Sequence, residues 1–424
     1  MEKYTVQPYT GGDVAVSVPG SKSITNRALL LAALSDTVCT LHGVLFSDDS
    51  EAFLDCLASL GFSLSVDREK KTVTVRGENG KIPRSEGATI NVRSAGTAAR
   101  FLTVLLAVCG GEYLLESSAQ MEKRPMEPLL SALRQAGVQI ECRKTEGHFP
   151  FRLRSCGLQT EEISIDTEKS SQFASALLLC ANKANDLTVH LTGNRTNGAY
   201  IGITTRMLSE FGVRFQKNGD GYTFAAGTPF GLPEYYVEPD VSAACYFYAA
   251  AAVTGRTALV RGVHKNSMQG DLQFLSVLQS MGCTVREEAD GIAVTGTPHL
   301  RGADVDMQDF SDQVLTLSAI APFAETPTHI RNVGHIRMQE CDRLSAIVQN
   351  LTALGVKTEA TQDSVTVYPA QTLKKAEIET FGDHRVAMSF TVTGMRSGNV
   401  TILDPLCCKK TFAEFFQVID SLYR

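Results

Sequence analysis

Lys22 and Arg27 are the first side chains placed to do chemistry. They stand about one turn apart just after the break Pro19-Gly20, and the apolar run Ala28 to Leu34 follows at once. A helix start leaves backbone N–H groups without intrahelical acceptors and carries partial positive charge. Two full cations at such a start suit an anion, phosphate or carboxylate. Ser21 or Ser23 can cap the helix. The plainer possibility is a capped core helix with two solvated cations. What favours the anion site is recurrence. Polar or small-residue starts lead into apolar runs again near Ser94-Ala95-Gly96-Thr97, Ser170-Ser171-Gln172, Asp240-Val241-Ser242, Phe310-Ser311-Asp312 and Gly382-Asp383-His384-Arg385. One such start is an ordinary N-cap. Six, several carrying Lys or Arg, can line one cleft with donors.

The elements that must position these starts are legible as a repeat. The apolar bodies are Leu29–Leu34, Phe101–Val108, Phe173–Cys180, Ala243–Val253, Val314–Ala321 and Val386–Val392. Helices apolar all round are buried. A second phrase alternates with them: an amphipathic helix that ends at Gly61, Gly137, Gly212, Gly282 or Gly355 and runs into a strand. Glycine at that position permits the left-handed turn that ends a helix. Short β-branched runs such as Val73-Thr74-Val75 and Val365-Thr366-Val367 lie between. The chain therefore reads as six αβ units, three in each of two similar α/β domains. Gly231 to Pro239, rich in Pro and Gly, marks a boundary. If the first strand, Val14 to Val18, crosses to the second half, residues 1–19 join 238–424 in one domain. Residues 20–237 form the other, and the crossings near 19–20 and 237–239 make a two-strand hinge.

Composition narrows the function. A formal net charge of −6 argues against general nucleic-acid binding. No apolar run reaches the length of a membrane span, and the start lacks a signal h-region. Eleven cysteines without a Cys-x-x-Cys pair point to reduced thiols in a cytoplasmic protein. Cys407-Cys408 read as structural. Histidine spacing, and the lack of a P-loop or Gly-x-Gly-x-x-Gly fingerprint, predict no metal and no nucleotide cofactor.

At Ala95-Gly96-Thr97-Ala98-Ala99-Arg100, Lys123-Arg124-Pro125, Ser170-Ser171-Gln172-Phe173, Glu340-Cys341-Asp342-Arg343-Leu344 and Asp383-His384-Arg385 the chain resembles the 5-enolpyruvylshikimate-3-phosphate synthase family. The resemblance runs from Pro19 to Phe412. It implies two domains of three βαβαββ units each, an inside-out α/β barrel. It implies transfer of the enolpyruvyl group of phosphoenolpyruvate to the 5-hydroxyl of shikimate 3-phosphate, with release of phosphate. No cofactor or metal is implied, and members are usually monomeric.

Residue by residue, the resemblance assigns Lys22, Ser94, Gly96, Arg124, Gln172, Arg343, Arg385 and Lys410 to phosphoenolpyruvate. It assigns Lys22, Ser23, Arg27, Ser170, Ser171, Gln172, Asn197, Tyr200, Asp312, His335 and Gln339 to shikimate 3-phosphate. Asp312 matches the base for the 5-hydroxyl; Glu340 and Lys22 match the proton carriers at the enolpyruvyl carbon. The residue types fit. Both substrates are polyanions, and the addition–elimination needs a proton delivered and removed beside a phosphate clamp. Outside the resemblance, Asp312 reads as a helix-start carboxylate, and Glu340 with Arg343 as a surface ion pair.

Several positions depart from the family pattern. Ser94 and His335 replace asparagines, Gln339 a lysine, Asn197 a serine, and Phe101 a proline. Lys169 could supply the charge missing at 339. Two other readings compete: the sister transferase acting on UDP-N-acetylglucosamine, and a homologue that binds shikimate 3-phosphate without turnover. The first usually carries a cysteine before its Arg-Pro, and Glu116 to Lys123 has none. The second is countered by intact Lys22, Asp312, Glu340 and Arg385.

Overall fold

The computed structural model describes residues 2–168, 170–193 and 195–423. The chain divides into two compact units: Gly20–Val237, and Met1–Pro19 with Glu238–Arg424. Three helices fill the middle of each. In the first unit they are α1 (Lys22–Leu34), α2 (Gly96–Cys109) and α3 (Ser171–Cys180). In the second they are α4 (Val241–Thr254), α5 (Val314–Ile320) and α6 (His384–Ser397). Every residue of α4 from Val241 to Val253 is buried. With no polar face to turn outward, such a helix is stable only when packed on all sides. The three helices of each unit touch one another.

Sheets cover the helices, three to a unit among the described residues. Five of these six follow one order: a parallel pair, then an antiparallel hairpin. Glu86–Asn91 and Gly111–Glu116 pair in parallel with α2 as their crossover, and Phe151–Ser155 and Gln139–Cys142 complete that sheet. Phe151–Ser155 alternates buried and exposed residues, as a strand with one face on the core must. Strand Val14–Val16, which precedes α1, pairs in parallel with Thr257–Arg261, which follows α4. Strand Glu234–Tyr236, which precedes α4, pairs in parallel with Val38–His42, which follows α1. The two repeats have thus exchanged their first strands. The chain passes between units at Pro19–Gly20 and at Val237–Glu238. A Cβ at residue 20 would lie 2.0 Å from the Gly43 carbonyl oxygen, so only glycine fits that crossing. The sixth sheet is three-stranded and is closed by Lys3–Thr5 against Val400–Leu403.

Five outer helices end alike. Gly61, Gly137, Gly212, Gly282 and Gly355 have φ between 82° and 108°. The next residue donates its N–H to a leucine carbonyl five residues back, for example Phe62 to Leu57 and Val356 to Leu351. That bond is the signature of a Schellman stop. Two helix starts differ from the expectation. Ser21 holds the N-cap position of α1 but its side chain makes no capping bond. Phe310-Ser311-Asp312 lies in a 3₁₀ segment, Gln308–Gln313, broken at Phe310 (φ −134°, ψ 42°), and the α-helix begins only at Val314.

Candidate active site

In the unit 20–237 a side-chain bond joins the starts of α1 and α2. Asn26 Nδ2 donates to Thr97 Oγ1 at 2.5 Å. Ser170 caps α3 by accepting from Gln172 N. Lys22 Nζ stands 3.3 Å from Asp49 Oδ2, a carboxylate otherwise buried. The Arg124 guanidinium lies over the start of α2, so close that a Cβ at Gly96 would meet its Nη1 at 2.8 Å. Among the described residues the Arg124 side chain has no hydrogen bond or ion pair, and its Nε is buried without an acceptor. A cation without a counter-charge over a helix N-terminus is an anion site. Gln172 Oε1 is likewise buried without a donor, and Ser23, Ser171 and Tyr200 are half-buried. Ser94 Oγ shares a 2.7 Å hydrogen bond with Ser118 Oγ.

Arg27 is placed differently from Lys22. Its side chain is fully buried and points its donors at Thr204 Oγ1, Ser175 Oγ and the carbonyls of Ser23 and Tyr200. The Phe101 ring lies 5.3 Å from its Cζ, a cation–π contact. Burial lowers its pKa to about 10. Arg27 thus braces α1 against α3 and the Ala199–Glu210 helix. Asn197 is exposed, and its Oδ1 accepts from Lys217 Nζ at 2.7 Å. Lys169 lies outside the described residues.

In the other unit, Arg343 is the hub. It is 1 % exposed, and all five of its N–H donors face protein acceptors. Nε and Nη2 bond Asp383 at 2.8 and 3.4 Å, Nη2 bonds Glu340 at 3.0 Å, and Nη1 bonds Asp312 at 3.0 Å and also Gln339 Oε1. Asp312 is held from its other oxygen by Arg385 Nη2 at 2.8 Å. Glu340 is held from its other oxygen by Lys410 Nζ at 3.6 Å. Three carboxylates and three cations therefore interlock where α5 and α6 begin. Asp383 also caps α6 through Arg385 N. His335 Nε2 sits 2.8 Å from Ser311 Oγ, beside Asp312 in the chain. Cys341, next to Glu340, is half-buried; burial, then Asp383, push its thiol up, so it is no nucleophile near neutrality.

The structure gathers Asp312, Gln339, Glu340, Arg343, Arg385 and Lys410 into one cluster. Sequence reading missed Asp49 and Asp383 as members of the site. Asp49 follows Asp48 in a helix's first turn, where acids are ordinarily solvated. Asp383 was visible in its motif, but its ion pair with Arg343 spans 40 residues. The departure at Gln339 has a local consequence: its carbonyl accepts from Arg343, which a lysine could not do. Among the described residues no group of three or more His, Cys, Asp or Glu is placed to hold a metal ion. The cluster offers two carboxylates able to move protons, each pinned between cations that also suit phosphate or carboxylate oxygens.

A family model described as EPSP synthase (3-phosphoshikimate 1-carboxyvinyltransferase) matches residues 8–419. A relative named 3-phosphoshikimate 1-carboxyvinyltransferase from Trichormus variabilis is 42 % identical over 95 % of this chain and 95 % of its own. Another of that name, from Haemophilus ducreyi, is 39 % identical over 100 % of this chain and 99 % of its own. A solved EPSP synthase from Acinetobacter baumannii shares the fold, with a TM-score of 0.83 at 24 % identity, covering 100 % of this chain and 98 % of that one. By the family match and these relatives, the chain belongs to the EPSP synthase family.

Proposed function

We propose that the protein transfers the enolpyruvyl group of phosphoenolpyruvate to the 5-hydroxyl of shikimate 3-phosphate and releases phosphate. The observation that carries this reading is the interlocked cluster of Asp312, Glu340, Arg343, Arg385 and Lys410. Asp312 takes the proton of the attacking hydroxyl. Glu340 and Lys22 deliver and remove the proton at the enolpyruvyl carbon. Arg124, Arg385 and Lys410 meet phosphoenolpyruvate, with Gly96 against Arg124, Ser94 just before Gly96 in the chain, and Gln172 at the start of α3. Ser23, Ser170, Ser171, Gln172 and Tyr200, with His335 and Gln339, meet shikimate 3-phosphate. A contact from Arg343 to phosphoenolpyruvate would need one of its five protein acceptors released. Its proposed role is therefore to hold Asp312 and Glu340 in place. Arg27 supports this set from beneath, and Asn197 joins it only after leaving Lys217. The free state of all eleven cysteines supports action in a reducing compartment, the cytoplasm, and a single chain is proposed as the acting unit.

The direct test is phosphate release from phosphoenolpyruvate with and without shikimate 3-phosphate. Release should require both, and Lys22→Met should lower it roughly 10²- to 10⁴-fold. Release that ignores shikimate 3-phosphate, or binding without any release, would overturn the reading.

Arg124 gives a cleaner probe of the anion site. Arg124→Ala should raise KM for phosphoenolpyruvate at least about tenfold, the equivalent of one charged hydrogen bond of roughly 1.5–3 kcal/mol. The unfolding midpoint should not move, because the side chain holds no partner among the described residues. A lowered midpoint with unchanged KM would make Arg124 structural.

A further inference from the structure

Asp312 presents a chemical difficulty. Its Oδ1 is bonded by Arg343 and its Oδ2 by Arg385. Two guanidiniums on one carboxylate favour its charged form and make it a weak base. A second carboxylate stands behind it. Asp271 lies on the 3₁₀ turn Gly270–Leu272, which packs on α4 and on the Gln308–Gln313 segment. Its side chain is 7 % exposed, and among the described residues no cation lies within ion-pair distance of it. Oδ1 accepts from Gln313 Nε2 at 2.8 Å. Gln313 follows Asp312 directly, is fully buried, and is fixed from its other end by Thr316 Oγ1 at 3.0 Å. A buried carboxylate with one side-chain hydrogen bond and no cation in direct contact is costly to a fold.

We infer that Asp271 is a positioning residue for the Asp312 base: its buried negative charge, fixed through Gln313, raises the proton affinity of Asp312 against the two arginines. The inference rests on the reading of Asp312 as the base. The groups facing Asp312 include Arg343, Arg385 at the start of α6, the Tyr246 phenol from α4, and Asp271. The groups facing Asp271 are Asp312, Arg385, Gln313, Asp240 at the cap of α4, and Cys245, whose thiol donates to the Asp271 carbonyl. Burial first, then the charge of Asp312, push the Asp271 carboxyl up to about 6. Repulsion between two carboxylates is mutual, so the same interaction acts on Asp312. Above that pH Asp271 is charged and does its work. Below it Asp271 is neutral and Asp312 is left to the arginines.

The test is Asp271→Asn in the full chain, assayed with phosphoenolpyruvate and shikimate 3-phosphate across pH, beside Asp312→Ala. Asparagine keeps the volume and still accepts from Gln313. Wild-type kcat should rise about threefold as pH passes upward through about 6, where Asp271 ionises, and that step should be absent from the variant. The plateau should fall roughly threefold, as expected when a base loses strength. KM for both substrates should hold. The unfolding midpoint should rise at pH 8 and match wild type at pH 4, because the folded-state pKa is raised and its cost exists only above it. A retained step with unchanged kcat overturns the inference, as does a lower kcat with a lower midpoint, which would mean packing. Gln313→Met is the second variant: it deletes the hydrogen bond, favours neutral Asp271, and must move the step to higher pH. If Asp312→Ala keeps full turnover, the base assignment itself has failed. If Asp312→Ala is inactive and Asp271→Asn is unchanged, only the role of Asp271 has failed.

Discussion

Arg343→Met should cost the unit formed by residues 1–19 and 238–424 about 3–5 kcal/mol, and should end turnover. Methionine approximates the length and bulk of arginine, so the loss is of donors rather than of volume. Five hydrogen bonds disappear, and Asp383, Asp312 and Glu340 are left crowded together. Asp383 is the worst placed, with no exposed surface. Removing one partner of a buried ion pair is expensive because the other charge stays buried. The deficit should shrink as pH falls, since the unpaired carboxylates can then take protons and cease to repel. Denaturant midpoints measured from pH 8 down to pH 4 check both statements. A difference from wild type below about 0.5 kcal/mol would place Arg343 with ordinary surface residues and sink its role as hub. Arg343→Lys should fall between, because a point charge with three donors cannot span four acceptor residues.

Arg343 also shows what a linear reading can and cannot reach. The apolar bodies of α1 to α6 are legible because a helix without a polar face has one stable place, the interior. The five glycine stops are legible because a left-handed residue at a helix end is a local demand. The pairing of Glu234–Tyr236 with Val38–His42 is not: three residues carry no periodicity, and their partner lies nearly two hundred positions away. The 3₁₀ segment carrying Asp312 was read as a helix start because Ser and Asp favour both. In the site, residue types could name Asp312, Glu340, Arg343 and Arg385 through their motifs, but not their mutual bonds. Those bonds join residues as far as 73 positions apart. Arg27 illustrates the opposite limit. A cation at a helix start reads as solvent-facing, and only the acceptors Thr204 and Ser175 and the ring of Phe101 explain how the fold buries it. Asp271 and Asp49 were silent for a related reason: an acid near a helix start has an ordinary solvated explanation until its surroundings are known.

Asp312→Ala should lower kcat roughly 10²- to 10⁴-fold, the range for removing a positioned general base. Its effect on binding should run the other way. Alanine frees Arg343 Nη1 and Arg385 Nη2 from a carboxylate. Each guanidinium then carries one carboxylate fewer, so both hold an incoming anion better, and KM for phosphoenolpyruvate should stay level or fall. A drop in kcat with no rise in KM marks an interaction made in the transition state alone. Steady-state kinetics with each substrate varied, joined to calorimetric binding of shikimate 3-phosphate, separate the two effects. A rise in KM with kcat preserved would mean that Asp312 only binds substrate, and the proton would have to leave through Glu340 instead. Glu340 could not then serve as its own partner at the enolpyruvyl carbon. It is held by Arg343 and Lys410, while Asp312 is held by Arg343 and Arg385. With one arginine shared and one cation apart, the two acids are oriented as a pair yet poised as separate proton sites. An addition that takes a proton from oxygen and gives one to carbon requires that separation.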